Sequence, residues 1–375
     1  MNYKKIIFFI LFICSCFSIN AALAIKPNQP EITNMIFFGD SLTDVGNNTW
    51  ILINGIFGAP ITNPNDQSLK YIWPNYLVRK KLNKPVYPSS QPNISPFSDN
   101  ISYAYAGAET GEQYNNTNWP PNTQVPTNNP DCTQPGSIQD STGNIKSTCN
   151  PGLLQQVDLY LQDTHFMPNP KTLFFIWAGA NDIFDYYNTN AKQYISMTLL
   201  TSPYSDILGK PPPIPSEDDL SALEQRVIHN INEAKKKLID AGVKPEMIYI
   251  LTLPDLSAAP ALRTSNNWKL TIFFNKENLE KSLSATSQSL NQKLQTQQDD
   301  PKYAIPPSNY LQIGDKFLDM RLNPTQYNVI DVENNCVEKK AMPVCPGYLF
   351  YDQKHPTTTI HNIIADFILQ KLDNI

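Results

Sequence analysis

Long hydrophobic runs are scarce in this chain. Beyond residues 6–17 no apolar stretch reaches the length that a membrane-spanning helix needs, so a spanning protein is not expected. Glycine is scarce too, 14 residues against 32 prolines, which argues against flexible glycine-rich linkers and for stiff, extended connections. Basic residues fall short of acidic ones, 29 against 34, and a formal charge of −5 disfavours a nucleic-acid partner. Only four histidines exist, His165, His229, His355 and His361, so any chemistry that needs an imidazole must draw on that set.

The one long apolar run lies at the start. Lys4 and Lys5 precede Ile6 to Phe17, and Ala22-Leu23-Ala24 supplies small residues for cleavage, so residues 1–24 read as a secretory signal peptide and the protein as periplasmic or extracellular. A lipid anchor at Cys16 is the weaker alternative, because Ile13-Cys14-Ser15 only loosely resembles a lipoprotein signal. Removing Lys4 and Lys5 and no acid takes the formal charge from −5 to −7, and it leaves four cysteines, Cys132, Cys149, Cys336 and Cys345. In an oxidising compartment these should pair. Of the three connectivities, Cys132 with Cys149 and Cys336 with Cys345 closes two short loops at low entropic cost. Zinc is the rival, but C-x-x-C spacing and a neighbouring histidine are both missing.

What is present is an alternation of strands and helices. The apolar run Met35 to Phe38 stops at Gly39-Asp40-Ser41, a buried strand ending in a tight turn. Helical spacing follows over Tyr71 to Leu82, and strands are expected at Ile101 to Ala106, Thr172 to Ala178, Met247 to Leu253 and Tyr310 to Ile313. Further helices are expected at Leu153 to Leu161, Glu217 to Ala241 behind a Ser216 cap, Leu270 to Leu294 and Thr358 to Leu372. The pattern predicts one α/β domain over residues 25–375 with a parallel sheet, carrying surface insertions around 111–151 and 188–215, the latter irregular.

In open α/β sheets ligands bind beyond the carboxyl ends of the strands, which puts the Ser41 hydroxyl where a nucleophile would be useful. A serine needs a base, a group to orient that base and donors for an oxyanion. His229 lies inside a helix and reads as a surface residue, while His165 sits in a loop near Pro168 with no acidic partner at useful spacing. His355 follows Asp352 by three residues, and a carboxylate there can hold the Nδ1 proton and leave Nε2 free to act as base. Gly107 and Asn181, each after a predicted strand, are the oxyanion candidates. Taken singly, each of these motifs also reads as an ordinary turn or helix cap.

Taken in order, Phe38-Gly39-Asp40-Ser41-Leu42-Thr43-Asp44-Val45-Gly46-Asn47, then Tyr105-Ala106-Gly107-Ala108, Gly179-Ala180-Asn181-Asp182 and Asp352-Gln353-Lys354-His355-Pro356 resemble the blocks of the SGNH or GDSL hydrolases. The resemblance implies a flavodoxin-like three-layer α/β/α fold and ester hydrolysis by Ser41, His355 and Asp352. It places the oxyanion on Ser41 N–H, Gly107 and Asn181, and needs no metal or cofactor. The long first block and the export signal look like the bacterial lipolytic branch of lysophospholipases A and glycerophospholipid:cholesterol acyltransferases. That branch implies a monomer acting on a lipid or lysophospholipid, with a sterol as further acyl acceptor and peripheral contact with membrane lipid surfaces. A carbohydrate acetyl esterase with the same residues is the alternative, and a non-catalytic binding protein the more distant one. Trp50, Phe57 and Trp73 favour lipid slightly and suit a core equally well. The loop from Cys132 to Cys149, poor in apolar residues and lying between the segments of Gly107 and Asn181, reads equally as a disulfide-ordered cover over the site or as a passive surface insertion.

Overall fold

The computed structural model describes residues 31–47, 72–111, 136–139, 145–149, 151–201, 214–262, 275–297, 300–341 and 345–373. Thr33–Ile375 form one compact unit. Its centre is a six-stranded parallel sheet built from β1 (Asn34–Gly39), β2 (Val86–Pro88), β3 (Asn100–Ser102), β6 (Thr172–Trp177), β7 (Ile248–Leu251) and β8 (Tyr310–Leu311), in the order β2-β3-β1-β6-β7-β8. Apart from the edge strand β2, this is the doubly wound flavodoxin-like order. The chain winds outward from β1 to β3 and then crosses back to β6, so the strand order reverses between β1 and β6. A crevice opens at that point beyond their carboxyl ends.

Successive residues of a strand point to opposite faces, and β1 uses both. Phe37 meets Trp73 of α1 (Trp73–Leu82), with ring centroids 5.2 Å apart, and Phe38 meets Tyr160 of α2 (Leu153–Asp163) at 6.0 Å. The two helices therefore cover opposite faces. On the α1 face an aromatic ladder, Phe37 to Phe175 to Tyr249, crosses three strands at centroid spacings of 5.3 Å, following the register of the sheet. Helix α7 (Thr358–Asp373) packs beside α1. On the other face α2 packs against α4 (Glu217–Asp240), and α4 against α5 (Lys276–Thr296). Helix α4 forms for reasons visible in its sequence: Ser216 accepts from Asp219 N–H, three acids fill the first turn, and Leu223, Val227, Ile231, Ala234 and Leu238 make one buried stripe. Among the described residues no helix is long and apolar enough to cross a membrane.

Three expectations need correction. Residues 188–201 are not irregular: α3 (Ala180–Thr201) runs through them. No proline or glycine interrupts that stretch, and the buried Ile183, Phe184, Tyr186 and Tyr187 anchor its start, so packing overrides the weak propensity of Asn188, Thr189 and Asn190. The strand expected at 101–106 is only three residues long as β3, although Tyr103 and Tyr105 N–H continue the ladder to the carbonyls of Phe37 and Gly39. Beyond β8, Ile313 opens a helix, α6 (Ile313–Leu322), and β9 (Asp331–Asn335) pairs in parallel with β10 (Tyr348–Phe350) in a separate small sheet. The polar run Asp331 to Asn335 carries no strand signal of its own. The insertion around 111–151 holds an antiparallel pair, β4 (Gly136–Gln139) and β5 (Ile145–Cys149). Cys132 lies outside the described residues, as do Trp50 and Phe57. Trp73 belongs to the core.

Candidate active site

Beyond β1 the chain turns so tightly that Gly39 has no substitute. Its φ is +147°, and a Cβ there would sit 2.1 Å from the carbonyl oxygen of Trp177 on β6. Gln156, buried on α2, brackets the same peptide: Gly39 N–H donates to its Oε1 at 2.8 Å, and its Nε2 donates to Gly39 O at 2.9 Å. Asp40 shapes the turn, its side chain accepting from Leu42 N–H and its carbonyl from Thr43 and Asp44 N–H. Asp44 in turn accepts from Gly46, Asn47 and Ala106 N–H, and Asn47 donates to the carbonyls of Ser102 and Ala104. The Ser41 turn is thus stitched to the loop that carries Gly107.

Ser41 Oγ lies 2.8 Å from His355 Nε2. His355 Nδ1 lies 2.9 Å and 2.8 Å from the two oxygens of Asp352. A carboxylate can only accept, so it keeps the ring proton on Nδ1 and leaves Nε2 to accept from the serine hydroxyl. Asp352 is fixed by its own loop, with Oδ1 also taking the backbone N–H groups of Lys354 and His355. Burial pushes its carboxyl up, but the His355 charge and these hydrogen bonds win, and its pKa falls below the ordinary value. The loop is pinned by a bridge between Phe350 and Pro356 and by Tyr351 N–H donating to His355 O. Behind it Cys336 and Cys345 are bonded and buried, with Cα atoms 5.4 Å apart.

Ser41, His355 and Asn181 line one cleft, whose wall is otherwise mostly apolar: Trp177, Phe184, Leu256, Phe317 and Phe350 among others. Asn181 opens α3, and its Nδ2 donates to Ala108 O at 2.9 Å, leaving the second amide hydrogen for a ligand. Gly107 is not part of the lining. It is half-buried in the adjoining turn at φ +83°, between Ala106 and Ala108, whose N–H groups bond to Asp44 and Tyr105 O.

Buried charge gathers beside this cleft. Burial raises Asp40 to about 6, against the N–H of Leu42 and the charges of His355 and Lys354. Burial holds the Lys354 ammonium below its usual range despite Asp185, Asp352 and Asp40, and its Nζ lies 5.1 Å from the centre of the Phe184 ring. The other histidines stand apart. His165 and His229 are exposed, while His361 is buried without hydrogen bonds to its ring nitrogens, and desolvation lowers its pKa to about 3. Among the described residues no group of three or more His, Cys, Asp or Glu side chains is placed to hold a metal ion.

Sequence reasoning missed Gln156. Its signal was a polar residue on the buried stripe of an amphipathic helix, where only a built hydrogen-bond partner makes an amide tolerable. It also passed over Asp44, Asn47 and Asp182 as individuals, although all three lie within the blocks quoted for their neighbours.

Two GDSL esterase/lipases of Arabidopsis thaliana are similar along nearly the whole length. One is 24% identical over 92% of this chain and 91% of its own. The other is 23% identical over 98% and 97%. An acetyl xylan esterase structure, 10% identical, covers 90% of this chain and 98% of its own with a TM-score of 0.32. Residues 35–368 match the family described as GDSL-like Lipase/Acylhydrolase, a span that runs from the first residues of β1 into α7 and contains Ser41, Gly107, Asn181, Asp352 and His355. The chain belongs to that family of ester hydrolases.

Proposed function

We propose that this is an exported serine esterase that cleaves acyl esters of lipids, of the phospholipase A or lysophospholipase A type, through an acyl-enzyme. One observation carries the reading: the serine and imidazole, 2.8 Å apart, open onto a cleft walled mostly by aromatic and aliphatic side chains. An acyl chain gains about 0.8 kcal/mol per methylene buried in such a cleft, whereas a sugar would find few partners for its hydroxyls along that mostly apolar wall.

In this mechanism His355 Nε2 takes the Ser41 proton as Oγ bonds to the ester carbon. The carbonyl electrons move onto oxygen, and the oxyanion is assigned to Ser41 N–H, Gly107 N–H and the Asn181 amide, with the positive end of α3 behind it. Asp352 holds and stabilises the imidazolium. Collapse breaks the carbon–oxygen bond, and His355 returns its proton to the departing alcohol. Water, or a sterol hydroxyl, then gives a proton to His355 and attacks the acyl-enzyme. Export rests on residues 1–24 and is supported by the disulfide Cys336–Cys345.

The test is a substrate panel: phospholipids, lysophospholipids, p-nitrophenyl esters and acetylated sugars, with and without cholesterol. Long acyl lipids should turn over best, Ser41→Ala should abolish turnover, and Asn181→Ala should lower kcat by about two to three orders of magnitude. Faster turnover of acetylated sugars than of any lipid would overturn the lipid reading, and a fluorophosphonate labelling another serine would overturn the mechanism.

A further inference from the structure

The two side segments that supply oxyanion donors are not neighbours in the sheet. Gly107 follows β3 and Asn181 follows β6, and β1 lies between those strands. Ladder hydrogen bonds therefore fix each segment relative to β1, but leave their separation from one another to contacts across the top of the sheet. A shift of about 1 Å there is enough to cost two orders of magnitude in rate.

Beside a hydrogen bond between the Glu109 and Asp185 carboxyl groups, two sets of contacts join the segments. Asn181 Nδ2 reaches Ala108 O at 2.9 Å. The next residue, Asp182, receives both donors of Thr110: the backbone N–H at 3.0 Å to Oδ2 and 3.3 Å to Oδ1, and the hydroxyl at 2.7 Å to Oδ1. Asn230 of α4 donates its Nδ2 to Thr110 Oγ1 at 3.0 Å, which occupies a lone pair of that oxygen and turns its proton toward Asp182. Thr110 and Asp182 are both buried, so the bonds between them do not compete with bulk water. An acid in the first turn of a helix ordinarily complements the helix dipole and needs no second partner. Here the carboxylate instead grips one residue of the opposite loop with both oxygens.

We infer that Asp182 and Thr110 form a clamp that sets the spacing between the Gly107 and Asn181 donors, and that both are positioning residues for ester hydrolysis. The inference rests on the oxyanion assignment proposed above. The clamp touches no substrate. It acts by holding the donors where charge develops in the transition state, so its loss lowers kcat and leaves the affinity for the ground-state ester nearly unchanged.

Thr110→Val removes the hydroxyl bonds and keeps the backbone N–H, and Thr110→Ser restores the hydroxyl. Asp182→Asn puts an amide NH2 where one of the two Thr110 donors needs an acceptor. With a short p-nitrophenyl ester, Thr110→Val should lose about 10- to 100-fold in kcat with KM within about twofold, Thr110→Ser should recover most of that loss, and Asp182→Asn should lose at least as much as Thr110→Val. Inhibition by an alkyl boronic acid, which makes a tetrahedral adduct on the serine, should weaken in step with kcat, while inhibition by the carboxylic acid product should not. If Asp182→Asn does not fold, the Thr110 pair carries the test alone. The clamp is overturned if Thr110→Val keeps wild-type kcat and boronate affinity and loses only thermal stability, or if Thr110→Ser fails to rescue. Failure of the underlying reading looks different: Ser41→Ala, or Asn181→Ala with the clamp intact, would then retain wild-type turnover.

Discussion

Ser41 and His355 meet in one cleft but are held there by different means. The serine turn is part of the core: residues 34–47 are buried, and several of its hydrogen-bond partners come from 55 to 117 residues away, out of β3, its following loop and α2. The histidine loop is half-buried, and its main support is its own carboxylate three residues upstream, backed by a two-stranded sheet and a disulfide that closes a nine-residue separation. One residue is placed by the topology of the whole sheet, the other by a local turn. Substitutions around the proposed nucleophile should therefore cost stability and activity together, whereas substitutions in the loop should cost activity with little change in stability.

The largest effect tests the loop half of that contrast. His355→Ala should lower kcat by about 10⁴-fold or more while shifting Tm by only a few degrees, because the side chain makes its hydrogen bonds to two groups at the cleft. Asp352→Ala should be roughly ten- to a hundredfold milder in kcat, since water can replace part of an orienting carboxylate. Steady-state kinetics and calorimetry on the same samples decide it. A collapse of Tm in His355→Ala would show the loop to be part of the core unit.

The contrast also explains which features could be read from the sequence. Met35 to Phe38 and Thr172 to Ala178 announce themselves, because a central parallel strand is buried on both faces and must be apolar throughout. Ser41 and His355 could be paired because only four histidines compete and only His355 has an aspartate three residues upstream, in the loop before the terminal helix. The rest was hidden for definable reasons. Strands β9 and β10 form a two-stranded sheet, one of them polar, so pairing and not burial makes them strands. Continuation of α3 past Asn188 was decided by tertiary packing of Tyr186 and Tyr187. Gln156 matters because of where Gly39 lies in space, 117 residues away in sequence, and no local pattern reports that.

Breaking the disulfide sharpens the loop half further. Cys336→Ser with Cys345→Ser should lower unfolding free energy by about 2–3 kcal/mol, the chain-entropy value for a loop of this size, as read from urea titration. Because β9 and β10 carry the chain into the Asp352 turn, kcat should fall with it, and addition of a thiol reductant to the wild type should reproduce both changes.

On the serine side, Gln156→Leu should cost about 1–3 kcal/mol, since it leaves the buried N–H of Gly39 without an acceptor and takes a donor from Pro151 O. Unlike His355→Ala and Asp352→Ala, it should lower stability and kcat in proportion, measured by urea midpoint and turnover of a short ester. Wild-type kcat in a destabilised Gln156→Leu protein would break the link between the core and the nucleophile.

The smallest effect is a slope. Burial raises Asp40 from 3.8 to about 6, so the folded chain holds that proton more tightly than the unfolded chain does. The sign follows: Asp40's favourable contribution is present in acid and is lost as pH rises through about 6, a change of about 1 kcal/mol between pH 5 and 7. Asp182, also raised to about 6, and Glu109, raised to about 9, slope the same way, so the wild-type curve alone does not isolate Asp40. Asp352, lowered, loses its stabilising contribution only at more acidic pH. Asp40→Asn keeps an oxygen to accept from Leu42 N–H and removes the titration. Urea midpoints of variant and wild type should therefore converge near pH 5 and separate by pH 7, with the variant the more stable. A constant difference across that range would mean that Asp40 does not titrate between pH 5 and 7 in the folded protein, and would overturn its raised pKa.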